Sequence, residues 1–198
     1  MCMKPSLRRL GLALHIALSV GWLGAVVAFL TLAIGSLSRD QQLARACYLS
    51  MLVVARGALV PLSIGTLVSG VVQALGTKWG LFRHWWILVK LVLAVLATAA
   101  LLLHEATAIK DAAKLAADTG AAVLQAGRLR ELGVQLLADA SGAALVLVAA
   151  LAISIYKPWG IVGRVTRGLR VFIAAVFALV VGFVMLHLSG HSPHRHSH

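Results

Sequence analysis

The sequence predicts an all-α membrane protein, a polytopic helical bundle of about five transmembrane helices with an amphipathic helical loop on the outer side. Hydrophobic residues make up 61% of the chain and charged residues 12%, and the mean hydropathy is +0.94. A soluble domain is nearer half apolar and about one quarter charged. We therefore expect the 198 residues to form a single membrane domain. Five apolar stretches predict the spans, which cover residues 10–34, 51–75, 84–105, 139–156 and 169–188.

The first span follows a short basic leader and is too long for the apolar region of a cleavable signal peptide. We therefore interpret it as a retained transmembrane helix that carries His15. Small residues on one face favour close packing against another helix; they are Ala13, Ala17, Gly21, Gly24 and Ala28.

The second span lies in an apolar stretch that Arg45, Arg56 and Pro61 interrupt. We interpret the stretch as a short segment that precedes the span, followed by the span itself at 51–75. Whether residues 43–56 lie at the membrane interface or belong to the span stays open. Proline removes a helical hydrogen bond, so Pro61 predicts a kink.

The third span opens with Trp85 and Trp86, carries Lys90 within its apolar run and ends near His104. A lysine inside a membrane-length segment is rare and is a functional-site hypothesis by default. At about 100° per residue, Lys90 and His104 fall within roughly 40° of each other around the helix. Since lipid penalises polar groups, this face is expected to look into the bundle.

The rest of the chain alternates polar and apolar stretches. Residues 106–138 are rich in alanine with scattered charges and predict two amphipathic helices with a break near residues 119–120. A basic loop separates the spans at 139–156 and 169–188. The chain ends in a His-rich tail, residues 189–198.

The distribution of charge predicts the orientation, because cytoplasmic loops are enriched in lysine and arginine. A cytoplasmic N-terminus places nine cations and no acid on the inner side: Lys4, Arg8, Arg9, Lys78, Arg83, Lys157, Arg164, Arg167 and Arg170. All six acids then lie outside: Asp40, Glu105, Asp111, Asp118, Glu131 and Asp139. The C-terminus is expected outside the inner (plasma) membrane.

The formal charge of +12 is therefore a topology signal, and the partner that it indicates is the lipid bilayer. The basic runs lack the motif of a nucleic-acid-binding module, so no nucleic-acid partner is expected. A homo-oligomer or another membrane partner stays open.

His15 and Lys90 lie at similar depths from the inner side and can share one polar pocket. In the functional interpretation His15 binds haem iron or another metal, and Lys90 neutralises a propionate or a substrate anion. In the alternative, Lys90 extends to the headgroups and His15 hydrogen bonds to a neighbouring helix.

A second candidate site lies at the outer end of the bundle. Its residues can bind a metal ion, bind the edge of a second haem, or form a set of interfacial ion pairs; they are Arg56, His104, Glu105, Asp139 and His187.

Histidines near the C-terminus predict weak binding of copper, nickel or zinc without fixed geometry; they are His187, His191, His194, His196 and His198. Cys2 and Cys47 form no CxxC motif, so a disulfide or zinc framework is not expected. The chain carries no phosphate-binding loop, no zinc-protease motif and no nucleophile elbow of the α/β-hydrolase type. The sequence therefore assigns no catalytic reaction.

Three short motifs carry a resemblance to a known group. The first helix contains LHI at 14–16 and WLG at 22–24, and the third span contains WILVKL at 86–91. Together with Pro61, Gly65 and Gly70, they resemble a superfamily of small membrane proteins that includes the copper-resistance D (CopD) proteins and the HemJ-type protoporphyrinogen oxidases. The overall layout, with the His-rich end, resembles an uncharacterised actinobacterial-type branch.

The resemblance implies a four-helix core and, for the HemJ type, a b haem near His15, Trp22 and Lys90. Leu88 stands where the HemJ helix usually has a histidine. Our first hypothesis is a membrane protein that binds haem b or a metal, with His104 and Arg56 as further candidates. The alternative is a non-catalytic membrane subunit or small transporter in which Lys90 and His15 are structural.

Overall fold

The computed structural model describes residues 5–76, 84–117 and 122–156, and this part of the chain is helical apart from short turns. The all-α prediction is confirmed for these residues. In chain order the elements are α1 (Pro5–Gly35), α2 (Gln41–Val54), a first π-helical turn (Ala55–Leu59), α3 (Val60–Gly76), α4 (Trp85–His104), a second π-helical turn (Glu105–Ile109), α5 (Lys110–Ala117) and α6 (Ala122–Tyr156).

Among the described residues, four continuous helices are long and apolar enough to cross a membrane: Ser6–Gly35, Gln41–Gly76, Trp85–Ala117 and Gly127–Tyr156. Their lengths of 30 to 36 residues correspond to about 45–54 Å, against about 30 Å for a hydrocarbon core. Each helix is therefore long enough to extend beyond the bilayer. The predicted fifth span at 169–188 lies outside the described residues.

The stretch from residue 41 to residue 76 is one helix interrupted by a wider turn. The side chain of Asp40 accepts hydrogen bonds from the backbone N–H groups of Gln42 and Leu43 and starts α2. At the first π-helical turn, the N–H of Val60 bonds to the carbonyl of Ala55, five residues earlier. This turn directly precedes Pro61, where a helix loses an N–H donor. Residues 43–56 thus continue into the second span.

The alanine-rich stretch predicted as a separate outer loop instead extends the long helices. The helix of α4 continues through the second π-helical turn and α5 to Ala117, and α6 begins at Ala122, well before the predicted span at 139–156. The physical reason is alanine itself, which has the highest helix propensity and lets a span continue as a helix into water. The predicted break at residues 119–120 lies outside the described residues.

Neighbouring helices pack antiparallel. In the pairing of α1 with the helix 41–76, Gly11 faces Gln73, Gly21 faces Leu62 and Gly35 faces Cys47. Glycines at these contacts let the two helices approach closely. The helix that contains α4 pairs in the same way with α6 and, through α5, with α2. We call the end of the bundle where α1 begins the N-terminal end, and the opposite end the far end.

The buried core lies mainly in the half of the bundle near the far end. It combines aromatic residues with many alanines: Trp22, Val26, Phe29, Ala33, Tyr48, Met51, Ala55, Leu59, Ala108, Ile109, Ala112, Ala116, Leu136 and Ala140. The Tyr48 hydroxyl donates to the carbonyl of Leu129 at 2.5 Å, which ties α2 to α6. Arg45 ties α2 to the end of α5 through a hydrogen bond to the Ala117 carbonyl.

Candidate functional site

Polar side chains meet at two heights in the bundle. The N-terminal polar layer consists of His15, Ser69, Lys90 and Ser154. The far polar pair consists of His104 and Asp139. Both lie within helices long and apolar enough to cross a membrane, where an ionisable side chain marks a functional-site hypothesis.

The imidazole of His15 is oriented by α3. Its Nδ1 lies 2.9 Å from the Ser69 hydroxyl oxygen, and the Ser69 hydroxyl donates its proton to the Thr66 carbonyl at 3.1 Å. Because that proton is used, Ser69 accepts a hydrogen bond from Nδ1–H. The neutral ring therefore keeps an unprotonated Nε2 with a lone pair.

The His15 ring lies against Gly70, where the absence of a side chain makes room for it. A Cβ atom built at Gly70 would lie 3.1 Å from Cε1 of the ring and 3.9 Å from Nε2. Gly70 therefore sets how closely the imidazole approaches α3. It was quoted in the sequence only as part of a resemblance, and the structure gives it a physical role.

Lys90 is held between α4 and α6. Its Nζ donates to the Ser154 hydroxyl at 3.0 Å and lies 4.9 Å from the centre of the Trp86 ring. The Ser154 hydroxyl in turn donates to the Ala150 carbonyl. A cation over an indole face is attracted by the ring quadrupole.

The far polar pair joins α4 to α6 by a short contact. His104 Nε2 lies 2.9 Å from Asp139 Oδ2, with side-chain exposures of 9% and 16%. Nδ1 of the same ring lies 2.7 Å from the Ala100 carbonyl oxygen. Both ring nitrogens therefore face oxygen acceptors. The pair is either an imidazolium with a carboxylate or a neutral imidazole with a protonated acid, and its net charge is zero in both forms.

The other predicted site residues occupy different places. Trp22 is only 3% exposed and belongs to the hydrophobic core. Arg56 lies on the first π-helical turn, where its side chain is exposed and has an interaction partner. The side chain of Glu105 and all of His187 lie outside what the structure describes, as does the His-rich tail.

Sequence reasoning missed the serines and threonines that surround the charged residues. Ser63, Thr66 and Ser69 recur every third residue in the apolar run of α3, a spacing that places them on one side of a helix. Ser154 lies in α6, far from Lys90 in sequence. Only the three-residue spacing in α3 is visible in the sequence; the Lys90–Ser154 contact depends on the pairing of α4 with α6.

An apolar groove of about 350 Å³ lies between α3 and α4, lined by Leu67, Val68, Val71, Val72, Leu91 and Val95. Leu91 is the neighbour of Lys90 in sequence, and His15 is not among the lining residues. Among residues 5–76, 84–117 and 122–156, no group of three or more histidine, cysteine, aspartate or glutamate side chains could hold a metal ion. No protein-family model, curated protein or solved structure matches this chain.

Proposed function

We propose that this integral membrane protein binds haem b at the N-terminal polar layer, with His15 as an iron ligand and Lys90 as the partner of a haem carboxylate. The observation that carries the proposal is the orientation of His15. Histidine ligands in proteins donate their second ring N–H to a fixed acceptor, which sets the tautomer and leaves the other nitrogen for the metal. The contact of His15 Nδ1 with Ser69 has this form.

The N-terminal polar layer supplies a cation for a ligand that has an apolar body and anionic edges. Ser154 and Trp86 hold the Lys90 ammonium in place, and a propionate beside it would form a charge-assisted hydrogen bond. The groove between α3 and α4 is lined in part by Leu91, the neighbour of Lys90 in sequence, and has a volume within the range of small-molecule sites and an aliphatic lining.

When bound, haem b would supply one-electron redox chemistry. The residues of the chain would bind and tune it. Ser69 would hold the His15 ring in one tautomer, and Gly70 would fix its distance from α3. Lys90 would orient the anionic edge towards the N-terminal end of the bundle.

The test is the absorption spectrum of the full-length protein purified from cells supplied with a haem precursor. We expect a Soret band in the wild type and its loss in His15→Ala. His84→Ala is the matched control, since His84 also lies at the N-terminal end of the bundle and packs near Trp86. A colourless wild type, or a His15→Ala protein with an undiminished Soret band, would contradict the proposal.

A structural role is the second candidate, and the contacts of Lys90 favour it. A hydroxyl and an indole already stabilise the ammonium, as in a non-catalytic membrane subunit or a small transporter. Lys90→Met separates the two functions. If haem is bound, this change should weaken haem retention; if Lys90 is structural, the protein should stay folded and colourless in both forms.

A further inference from the structure

Among the described residues, two buried hydroxyl groups lack a hydrogen-bond partner. Thr66 on α3 is 8% exposed and Thr98 on α4 is 5% exposed, and neither Oγ1 atom makes a hydrogen bond. A buried hydroxyl without a partner is destabilising, so native proteins pair such groups with water or a ligand.

The helix pairing places these two hydroxyls at the same height. Val95 lines the groove between α3 and α4 together with Leu67 and Val68. Because α3 and α4 are antiparallel, Thr98, about one turn beyond Val95, is level with Thr66. Two buried hydroxyls without a partner among the described residues therefore lie at one height of the bundle.

This position lies between the two charged layers of the bundle. Thr66 is about 4.5 Å along α3 from Ser69, which contacts His15, and Ser63 is about 4.5 Å further. Thr98 is about 12 Å along α4 from Lys90 and about 9 Å from His104. The steps of about 4.5 Å between the hydroxyl-bearing residues of α3 are too long for direct hydrogen bonds and suit single bridging waters, whereas the longer distances along α4 require more than one water.

We propose that His104 and Asp139 form a proton-binding site and that Ser63, Thr66 and Thr98, bridged by water, connect it to the N-terminal polar layer. The bundle then conducts protons between its two ends. This function goes beyond cofactor binding and does not require haem.

The chemistry of the far polar pair explains why the uptake of one proton is coupled to the release of another. A proton that reaches the partly exposed Asp139 carboxylate binds it, so the pair holds an imidazolium beside a neutral acid and carries a net charge of +1. A buried net charge is unfavourable. The pair therefore releases one proton to the water-bridged hydroxyls and returns to zero net charge, with one proton taken up and one released.

The experiment measures proton flux in vesicles. Full-length protein is reconstituted into phosphatidylcholine–phosphatidylglycerol vesicles that contain a pH-sensitive dye, and valinomycin with a potassium gradient sets the membrane potential. We expect the wild type to acidify the vesicle lumen faster than protein-free vesicles do. Asp139→Asn, which cannot bind and release a proton, is expected to reduce the flux to the level of protein-free vesicles.

Thr98→Val keeps the shape of the side chain and removes the hydroxyl, so it is expected to lower the flux without disturbing the pair. Its matched control is Thr31→Val, because the Thr31 hydroxyl is exposed and bonds only to its own helix at the Val27 carbonyl. If Asp139→Asn does not reconstitute, Thr98→Val decides. Wild-type flux equal to that of protein-free vesicles, or equal flux in wild type and Thr98→Val, would overturn the proposal.

Discussion

Removal of one member of the far polar pair should cost far more stability than removal of both. Asp139→Leu leaves His104, which is 7% exposed, facing a methyl group instead of an oxygen 2.9 Å away. Breaking a buried ion pair costs about 3–5 kcal/mol in soluble proteins, whereas hydrogen bonds between membrane helices couple by at most about 1.7 kcal/mol. The Asp139 side chain is 16% exposed, so we expect an intermediate loss of about 2–3 kcal/mol.

The double variant His104→Leu/Asp139→Leu removes both polar groups and leaves an apolar contact between α4 and α6. We expect its stability to lie within about 1 kcal/mol of the wild type. The measurement is unfolding in mixed micelles with increasing sodium dodecyl sulfate, followed by circular dichroism, for the wild type, both single variants and the double variant. If the double variant loses as much stability as the two single variants together, His104 and Asp139 are not coupled and the reasoning is refuted.

Three further predictions concern packing, metal binding and topology. Gly133→Ala should destabilise the bundle by about 1–3 kcal/mol, since the added Cβ would lie 2.5 Å from the Tyr48 hydroxyl. Gly142→Ala is the control: its position has open space around it, so this change should be neutral or stabilising in the same denaturation assay. Deleting the His-rich tail should lower nickel binding in equilibrium dialysis and leave the helical content unchanged. A loss of helical content would show that the tail contributes to folding. A reporter fused at Gly80 should read cytoplasmic and one at Asp118 outside; the reverse pattern would invert the orientation.

The helices could be predicted from the sequence, because lipid exposure requires long apolar runs with few charges. Four of the predicted spans overlap described helices, and each of these helices is longer than the span that overlaps it. The packing of α1 could not be predicted in the same way. The small-residue stripe suggested one contact face, but of its members only Gly21 is placed against α3, at Leu62, while Ala17 and Gly24 are exposed. Small residues permit close approach on any face, and the partner helix decides which face is used.

The charged side chains could be identified as candidates from the sequence, but their partners could not. The sequence predicts that Lys90 neutralises an anion or extends to the headgroups. In the structure its contacts include Ser154 and the Trp86 ring, and residues of these types carry no distinguishing pattern in apolar spans. The sequence predicts His104 and Asp139 near one another because each lies at the outer end of a predicted span, and their contact follows from the antiparallel pairing of α4 with α6.

The two halves of the bundle differ in packing, and this difference bears on where a ligand can enter. The far half contains most of the buried core, built on alanines that let α1, α2, α5 and α6 approach closely. In the N-terminal half, His15 and Lys90 are only partly buried. Regions with fewer buried contacts open at lower free energy than the core. The far half can therefore hold the helices in register while the N-terminal half admits a ligand.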